Sequence, residues 1–543
     1  MDADLRSIQQ ARELILEARE AQARFSKASQ EEVDKVVAAM ARAGAADAER
    51  LGKLAHEETG FGRVDSKKEK NLFATTTLLQ RMQGMKTCGI IRRIENNTIW
   101  EIATPMGVVA ALVPSTNPTS TAMYKAIISA KARCGIVISP HPRATKSTCE
   151  ALTVVAEGAY RAGAPRGLFG CMTEVTLAGT NELLENRGTD VILATGGTPM
   201  VRAAYSKGKP AYGVGSGNVP VYVDRSADIG KAAADLLYGV SFDWGTLCST
   251  ERSVVADMPI RGKLIDRMKG EGAYFLSPDE AQKLRDYAVP GGRLNVEQVG
   301  KSPAWIAAMS GFSVPEATTA LVAEVTEVGK QEPLSMETLS PILSFFTEDG
   351  WERGCERCIE ILNFGGIGHT LGLHCTNQRV IEAFALEKPA MRIVVNTVAA
   401  LGSVGLTTGL FPAMTLGPGT IGGSITSDNI SPLHLLNVKR MAFETAPVSQ
   451  PRKGRGAGEQ PVAKSARAAA STGGWIEEIE SRLRQRAGNP NTSAKRGVSS
   501  DPVVPTDPLV GHRPAGAVAP AAPAVPPAIS ASRIAELMAK YGK

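Results

Sequence analysis

The chain has 543 residues, 43% of them hydrophobic and 21% charged, and a formal net charge of +6. At roughly 150 residues per domain this length allows two to four domains, and no apolar run approaches the about 18 residues that a membrane-spanning helix needs. We expect a globular protein without a nucleic-acid partner, because much of the excess positive charge falls in late segments such as QPRKGRG, without interleaved aromatic residues.

The first residues, MDADLRSIQQARELILEAREAQ, are charged and amphipathic and lack the apolar stretch of a secretory signal, so we expect a cytoplasmic protein. Farther along, GIIRRIENNTIWEIATPMG alternates polar and apolar residues around Asn96 and Asn97, a pair that favours a tight turn. A protruding two-stranded ribbon is marginal in water unless another chain covers it. The pattern therefore predicts a β-hairpin that takes part in an oligomer.

Strand and helix patterns alternate from about residue 107 to residue 210. The apolar runs VVAALVP, GIVISP and VILAT are each followed by a helical pattern, as in TAMYKAIISAKARC. This order predicts an α/β fold with a doubly wound parallel sheet, in which ligands bind at the carboxyl ends of the strands.

Two motifs follow these strands. Asn117 lies between a strand and a helix, where its amide either points into a cleft as an oxyanion donor or caps the helix. Gly196 and Gly197 precede a helix whose first N–H groups favour phosphate, although Val201 interrupts a GxGxxG pattern and a tight turn needs glycine anyway. A second glycine-rich stretch, at residues 213–224, is expected to pack closely against a neighbouring segment.

Cys248, in GTLCSTERSVVAD, follows a glycine turn and precedes a strand pattern. It is either a nucleophile or a small buried hydrophobic residue. A nucleophilic thiol needs a pKa below its usual value of about 8.5, and a neighbouring histidine or cation commonly lowers it. His369 and His374, in GGIGHTLGLHC, are the candidate neighbours.

The other cysteines are scattered over a long chain without a signal peptide, so we expect free thiols rather than a disulfide framework. Cys355 and Cys358 form a CxxC pair in a helical context. Because no second pair lies nearby, we predict that they share a helix face and that the chain has no metal site.

The composition changes after about Pro447. Residues 448–528 are rich in Pro, Ala, Gly, Ser and Arg and predict a disordered linker. At the end, residues 529–543 place Ile534, Leu537, Met538 and Tyr541 on one face of a short helix that is marginal alone, so we expect it to fold against a partner groove. A frayed tail with accidental periodicity is the alternative.

Together these stretches resemble the aldehyde dehydrogenase superfamily and, within it, the CoA-acylating branch. The resemblance runs from about residue 5 to residue 445 and is most specific in TPMGVVAALVPSTNPTS, ATGGTPMVRAAYSKGKPAYGVGSGNVP, GTLCSTERSVV, METLSPIL, FGGIGHT and SDNISPLHLLNVKR. It implies a Rossmann-like cofactor domain, an α/β catalytic domain and a β-hairpin oligomerisation arm, followed by the disordered tail. The implied boundaries are residues 1–87 and 107–215 for the cofactor domain, 216–424 for the catalytic domain, 88–106 and 425–447 for the arm, 448–528 for the linker and 529–543 for an encapsulation peptide.

Carried over residue by residue, the resemblance makes Cys248 the nucleophile and Asn117 the oxyanion-hole amide, with His369 polarising or deprotonating a thiol. It implies NAD and coenzyme A as cofactors and no metal. The implied cofactor-binding residues are Ser115, Thr116, Ser139, His141, Pro142, Arg143, Thr195, Gly196, Gly197, Gly215 and Glu337.

One position departs from the hydrolytic branch of the family. The hydrolytic relatives carry a glutamate general base six residues before the proline of the segment YGVGSGNVP, and this chain has Val214 there. A cysteinyl thioester that lacks a base for water persists until a thiol arrives. The resemblance therefore implies transfer of the acyl group to CoA.

The resemblance also implies a setting. Acylating aldehyde dehydrogenases of bacterial microcompartments carry a short amphipathic helix on a Pro/Ala-rich linker, and residues 529–543 are similar. We therefore expect a homodimer or homotetramer in a microcompartment lumen, bound to a shell protein, that oxidises propanal. The alternatives are acetaldehyde, sulfoacetaldehyde, or a non-catalytic scaffold.

Overall fold

The structure, a computed structural model, describes residues 2–449. The amphipathic helix at residues 529–543 and the linker from residue 450 onward, both predicted from sequence, lie outside the described residues. None of the helices in the described part of the chain is long and apolar enough to cross a bilayer.

Three sheets organise the described residues. Two are entirely parallel and the third is antiparallel. The strands are β1 (Gly89–Ile94), β2 (Ile99–Pro105), β3 (Val108–Val113), β4 (Gly135–Pro140), β5 (Phe169–Cys171), β6 (Val191–Thr195), β7 (Ala211–Val214), β8 (Val219–Val223), β9 (Glu251–Asp257), β10 (Ala273–Phe275), β11 (Ala320–Glu324), β12 (Ile342–Glu348), β13 (Leu371–His374), β14 (Ile393–Val395) and β15 (Leu436–Ala442).

Helices cover both faces of the parallel sheets, as the alternation of strand and helix patterns predicts. They are α1 (Ala3–Phe25), α2 (Gln30–Ala46), α3 (Ala48–Thr59), α4 (Val64–Leu72), α5 (Leu78–Met82), α6 (Pro118–Lys131), α7 (Thr145–Arg161), α8 (Leu177–Glu185), α9 (Thr198–Tyr205), α10 (Ile229–Ser241), α11 (Arg261–Gly270), α12 (Pro278–Ala288), α13 (Pro303–Met309), α14 (Trp351–Phe364), α15 (Gln378–Glu387) and α16 (Ala399–Ser403).

The five-stranded sheet has the order β5-β4-β3-β6-β7. Every residue of β3, with the sequence VVAALV, is buried, and so is every residue of the neighbouring helix α6. Each fully buried valine or leucine side chain contributes roughly 1.5–3 kcal/mol. Strands β4 and β5 lie on one side of β3, and β6 and β7 lie on the other side. Because the strand order reverses at β3, a crevice opens at the carboxyl ends of β3 and β6.

The seven-stranded sheet has the order β10-β11-β12-β9-β8-β13-β14. Its four central strands are mostly buried, which suits a parallel sheet covered on both faces. Residues 215–218 connect β7 of the first sheet to β8 of this one. This short crossing brings the carboxyl ends of the first sheet close to the amino ends of the second.

The hairpin predicted around Asn96 and Asn97 is present. Strands β1 and β2 pair antiparallel from Ile94 and Ile99 outward, and both asparagines have positive φ, a backbone conformation that asparagine tolerates better than most residues. Strand β15 pairs with β2 from the opposite side to complete the antiparallel sheet. Six of the seven residues of β15 are exposed in the single chain.

The expectation that all cysteines are free thiols is wrong for one pair. Cys149 on α7 and Cys171 at the end of β5 form a disulfide, with their Cα atoms 5.5 Å apart. The sequence separation of 22 residues gave no sign of this contact, which arises because α7 packs directly on β5. Cys355 and Cys358 both lie on the buried face of α14. Within residues 2–449, no three metal-binding side chains cluster together.

Candidate active site

A cavity of about 520 Å³ lies between the two parallel sheets. One wall comes from the carboxyl ends of β3, β6 and β7, and the facing wall comes from segments that precede strands of the seven-stranded sheet. Among the residues predicted from sequence, the cavity is lined by Ser115, Thr116, Asn117, His141, Arg143, Thr195, Gly196, Gly197, Gly215, Cys248 and Glu337.

The second wall has a simple origin in the sheet order. Glu337 precedes β12, Cys248 precedes β9 and His369 precedes β13, and these strands lie in the centre of one parallel sheet. Since the amino ends of parallel strands share one edge, the three residues meet there although up to 121 residues separate them. The sequence predicted ligands at carboxyl ends only, and this amino edge was not foreseen.

Cys248 is partly exposed and lines the cavity, where its thiol can meet a ligand. The chain reaches it through a tight turn at Phe242–Gly245, where Gly245 has a φ of 72° and the backbone of Ser340 leaves no room for a side chain. The glycine-rich stretch predicted to pack closely does so here. A Cβ at Gly217 would collide with the carbonyl oxygen of Cys248.

His369 contacts Cys248. Its Nε2 lies 3.3 Å from the Cys248 Sγ, and its Nδ1 lies 3.0 Å from Oγ1 of Thr370. Burial, together with the nearby Arg392 cation, lowers the pKa of His369 to about 3, so the imidazole is neutral at pH 7. In the tautomer whose Nδ1–H donates to Thr370 Oγ1, Nε2 is free to accept a proton from the thiol.

The thiol itself differs from the sequence-based expectation. Burial, and next the Glu337 carboxylate, raise the pKa of Cys248 to about 12, whereas a lowered value was expected. No cationic histidine is available to lower it, because His369 is neutral and His374 lies within β13, where burial lowers its pKa to about 4. In the free protein the pair is therefore a thiol beside a neutral imidazole.

Asn117 occupies the N-cap position of α6, but its side chain does not cap the helix. Its Oδ1 accepts a hydrogen bond from Lys70 Nζ, while its Nδ2 donates to Thr116 Oγ1 at 3.0 Å and to the Thr246 carbonyl oxygen at 3.3 Å. The helix-cap alternative is therefore not realised. The N–H groups of this amide face the segment that carries Cys248.

Glu337 is a buried carboxyl on the cavity wall. Its Oε1 accepts a hydrogen bond from Gly217 N at 3.2 Å. Burial raises its pKa to about 7, and the Arg252 cation offsets part of that effect. Arg252 is itself buried and donates to the carbonyl oxygens of Ser340 and Gly245, which fixes the turn that precedes Cys248.

The glycine turn after β6 leads into α9 and faces the cavity. A Cβ at Gly197 would meet only Pro199 Cδ, at 3.8 Å, so the backbone there is open to a ligand. Three predicted residues lie off the wall, namely His369, whose contact with Cys248 is described above, Ser139 and Pro142. Ser139 is buried with its Oγ 2.8 Å from Thr180 Oγ1, and Pro142 begins a short turn between the lining residues His141 and Arg143.

Several site residues were missed. Much of the apolar wall comes from residues with no sequence signature, one of them on α9 (Met200) and five outside the helices and strands given above: Phe61, Leu294, Val296, Val299 and Leu339. A buried charged cluster behind Asn117, formed by Lys67, Lys70 and Asp243, was also missed. The segment VDSKKEKNL reads as a solvated charged helix, and only the spacing of Lys67 and Lys70 on one helix face hinted at a shared environment.

The fold and the cavity define a class, namely α/β proteins in which two parallel sheets enclose a cysteine-bearing cleft. Within that class, the chain belongs to the aldehyde dehydrogenase family, whose family model matches residues 3–274.

Similar proteins include acylating enzymes. An acetylating aldehyde dehydrogenase from Geobacillus thermoglucosidasius is 49% identical, with a TM-score of 0.81 over 83% of this chain and 100% of that one. A propionaldehyde dehydrogenase from a fucose utilisation bacterial microcompartment of Clostridium phytofermentans is 27% identical, with a TM-score of 0.73 over 81% of this chain and 99% of that one. An aldehyde-alcohol dehydrogenase from Clostridium acetobutylicum is 40% identical over 78% of this chain. The chain spans about half of that relative's length, as the match covers 50% of it.

Proposed function

We propose that this protein is an NAD-dependent, CoA-acylating aldehyde dehydrogenase that converts a short aldehyde, NAD and CoA into acyl-CoA and NADH. The 3.3 Å contact between His369 Nε2 and the Sγ of Cys248, which lines the cavity, carries the proposal. It pairs a nucleophile with a group that can take its proton, which is the arrangement that covalent catalysis through cysteine needs.

The cavity has groups that suit a dinucleotide. Gly196 and Gly197 present open backbone at the start of α9, where a pyrophosphate is favoured. Glu337 offers a carboxylate for ribose hydroxyls, and His141 and Arg143 line the adenosine side in this proposal. NAD, when bound, supplies the hydride acceptor. The same cleft is proposed to admit CoA as the second substrate.

The chemistry starts at Cys248. As the thiol attacks the aldehyde carbon, its proton passes to Nε2 of neutral His369, and the oxygen of the adduct becomes an alkoxide. The Asn117 Nδ2 group and the backbone N–H of Cys248 are proposed to hold this oxygen. Oxidation of the adduct, with NAD as the hydride acceptor, would leave the acyl group on Cys248 as a thioester, and the proton on His369 would pass to solvent and restore the neutral imidazole.

Release of the acyl group depends on what attacks the thioester. Val214, at the end of β7, lines the cavity where hydrolytic relatives carry a glutamate, so that position offers no base for water. The CoA thiol attacks instead, with neutral His369 beside the reacting sulfur to accept its proton. Acyl-CoA leaves and the Cys248 thiol is restored.

We propose propanal as the substrate, with acetaldehyde and sulfoacetaldehyde as alternatives. A sulfonate would need a dedicated cation. The buried cations near Cys248 already donate to main-chain oxygens, Arg252 to those of Ser340 and Gly245 and Arg392 to those of Ser427 and Gly417, while Arg392 Nε has no hydrogen-bond partner. These contacts favour a small uncharged aldehyde.

We also propose that residues 88–106 and 425–447 form an oligomerisation arm for a homodimer or homotetramer, beside a cofactor domain and a catalytic domain with the boundaries given above. The exposed apolar side chains Val438, Met441 and Phe443 on and beside β15 support this role. Residues 529–543 are proposed to bind a shell protein in a microcompartment lumen, and the relative from a fucose utilisation microcompartment supports that setting.

The deciding experiment follows NADH formation by the purified chain with propanal and NAD, with and without CoA, together with mass detection of propanoyl-CoA. Steady turnover only with CoA is expected, and Cys248→Ala is the inactive control. Turnover to propanoate without CoA would make the enzyme hydrolytic. Absence of turnover with propanal, acetaldehyde and sulfoacetaldehyde would favour the scaffold.

A further inference from the structure

We propose that Lys70 is a positioning residue that fixes the orientation of the Asn117 amide, so that its N–H groups face the oxygen that develops charge during acyl transfer to Cys248. The inference rests on the proposed roles of Asn117 and Cys248. Lys70 does not line the cavity and acts only through Asn117.

The geometry of the contact sets the direction of the amide. Lys70 Nζ lies 2.5 Å from Asn117 Oδ1. An ammonium group has three donors and no acceptor, so it can bind the oxygen end of an amide but not the NH₂ end. As long as Lys70 is protonated, Oδ1 must face it and Nδ2 must face Thr246 and the segment of Cys248. The hydrogen bond from Nδ2 to the Thr246 carbonyl oxygen is long, at 3.3 Å, so an oxyanion can readily replace that oxygen as the acceptor.

The cation is held in place by a buried carboxylate. Asp243 Oδ2 accepts from Lys70 Nζ, from Lys67 Nζ at 3.2 Å and from Thr246 Oγ1 at 2.6 Å. Asp243 is fully buried, and Lys70 is 4% exposed. Burial alone would raise the pKa of Asp243, but the Lys67 and Lys70 cations outweigh it and hold that pKa below its ordinary value.

The backbone is shaped to accept Asp243. It has a φ of 49°, in the left-handed region, and its Oδ1 accepts from Arg63 N at 2.6 Å. Gly62 lies so close that a Cβ there would collide with the Asp243 carboxylate. A buried ion cluster is weak support for stability, since desolvation offsets most of the attraction. Because the cluster lies directly behind Asn117 and contacts it through Lys70, we infer that it supports the orientation of the Asn117 amide.

The cluster also carries charge. Two lysines and one aspartate leave one net positive charge behind the oxyanion position. Burial lowers the pKa of Lys70 to about 8, with Asp243 opposing and Lys67 adding to that effect, so Lys70 remains mostly protonated at pH 7. In this protonated form Lys70 offers only donors, so it keeps hold of the oxygen end of the Asn117 amide.

The test compares two reactions of Cys248 that need neither NAD, CoA nor an aldehyde. In the first, the thiol attacks the carbonyl carbon of p-nitrophenyl acetate through an oxyanion, p-nitrophenolate leaves, and the thiol proton goes to His369. In the second, iodoacetamide alkylates the sulfur, iodide leaves and the thiol proton again goes to His369, but no oxyanion forms. The ratio of the two rates therefore reports the oxyanion donors, whereas a general disturbance of the site slows both.

Lys70→Gln is expected to slow acetylation about 10- to 100-fold, within the range seen when an oxyanion donor is lost, and to leave alkylation within about twofold. A glutamine can accept as well as donate, so it no longer fixes the amide. Lys70→Arg, which keeps a donor-only cation, should restore most of the acetylation rate. Lys67→Gln is the matched control, because Lys67 shares Asp243 but does not contact the Asn117 side chain, and it should lower the rate ratio by no more than about threefold.

The double variant decides whether Lys70 acts through Asn117. In an Asn117→Ala background, Lys70→Gln should lower acetylation by less than about twofold further. Three results would overturn the inference. They are acetylation losses of Lys70→Gln and Asn117→Ala that add in the double variant, equal slowing of acetylation and alkylation by Lys70→Gln, and an effect of Lys67→Gln on the rate ratio as large as that of Lys70→Gln. If Lys70→Gln does not fold, Lys70→Met replaces it in the same cycle. Failure of the proposed dehydrogenase activity would leave this result unaffected, since the readout uses neither cofactor.

Discussion

Nε2 of His369 lies 3.3 Å from Sγ of Cys248, and both groups are uncharged in the free protein. Burial raises the pKa of the thiol to about 12 and lowers that of the imidazole to about 3. Cys248 is therefore a thiol and not a thiolate in the free protein at pH 7. We propose that the reactive thiolate forms as the proton moves to His369, when an electrophile is present to accept the electrons of the sulfur.

Replacing either partner of this pair should stop the reaction. Cys248→Ala is expected to abolish turnover and acyl-enzyme formation, seen by intact mass, while far-UV circular dichroism stays unchanged. His369→Ala should lower kcat by about 100- to 10,000-fold, the range for loss of a proton acceptor. His374→Asn is the control, because this second buried histidine lies within β13 and should leave kcat within about threefold. Comparable losses in both histidine variants would contradict the assignment.

Glu337 should control the reactivity of Cys248 in a pH-dependent way. Its carboxylate raises the pKa of Cys248, and its own pKa is about 7. Glu337→Gln should therefore speed iodoacetamide alkylation several-fold at pH 8, since each unit of lowered thiol pKa gives up to tenfold more thiolate. Below about pH 6, where Glu337 is already protonated, variant and wild type should react at the same rate.

Glu251→Gln is the matched control for that measurement. Glu251 is also buried with a pKa raised to about 7, but it accepts from Ala399 N and does not line the cavity. It should leave the alkylation profile unchanged. A Glu337→Gln profile that overlays the wild type at every pH would remove Glu337 from the electrostatics of the thiol.

Val214 should decide between water and CoA as the acyl acceptor. Val214→Glu places a carboxylate on the cavity wall and is expected to give aldehyde oxidation to the free acid without CoA, measured as NADH formation in its absence. Val214→Gln has the same shape without a base and should not. Rapid hydrolysis by the unaltered protein would refute the argument.

Gly217 should tolerate no side chain. A Cβ there would collide with the carbonyl oxygen of Cys248, so Gly217→Ala must move the backbone of the nucleophile. We expect kcat to fall at least tenfold and the midpoint of thermal unfolding to fall by about 2 °C or more, since overpacking typically costs about 1–3 kcal/mol. Gly262→Ala, in α11 with open space around its Cβ, should leave both unchanged or raise stability slightly.

Residues 529–543 should direct cargo into a shell. Their fusion to a fluorescent protein, co-expressed with microcompartment shell proteins, is expected to give discrete foci that purify with the shells. Replacing Ile534 and Leu537 with aspartate removes the apolar face and should return the fluorescence to the cytosol. Diffuse fluorescence from the intact fusion would count against a targeting role.

The sequence predicted the part of the site that local pattern determines. Asn117, Gly196 and Cys248 each lie at a junction where strand and helix patterns meet, and the structure brings all three to one cavity. The doubly wound sheet followed from buried apolar runs such as β3. Strand order made the junctions meet, whereas the alternation of patterns predicts the parallel sheet and not this order.

The sequence did not predict the side chains that support these residues. Lys70 lies in a segment as polar as any surface helix, and its burial depends on Asp243, 173 residues away. The raised pKa of Cys248 likewise depends on Glu337 and on burial between two sheets. The burial of Lys70 and the raised pKa of Cys248 come from tertiary contacts between distant segments. Neither the periodicity nor the composition of the sequence predicts such contacts. The Cys149–Cys171 disulfide was missed for the same reason.

The order of the site residues along the chain has a consequence for synthesis. Cys248 leaves the ribosome before Glu337 and before His369, which follows 121 residues later. At about 5–20 residues per second, that interval lasts roughly 6–24 seconds. During it, the nascent chain carries the cysteine without the imidazole that accepts its proton, so the cysteine is an ordinary thiol. The histidine that contacts Cys248 is thus absent until the central strands of the second sheet have been made and the polypeptide can close around them.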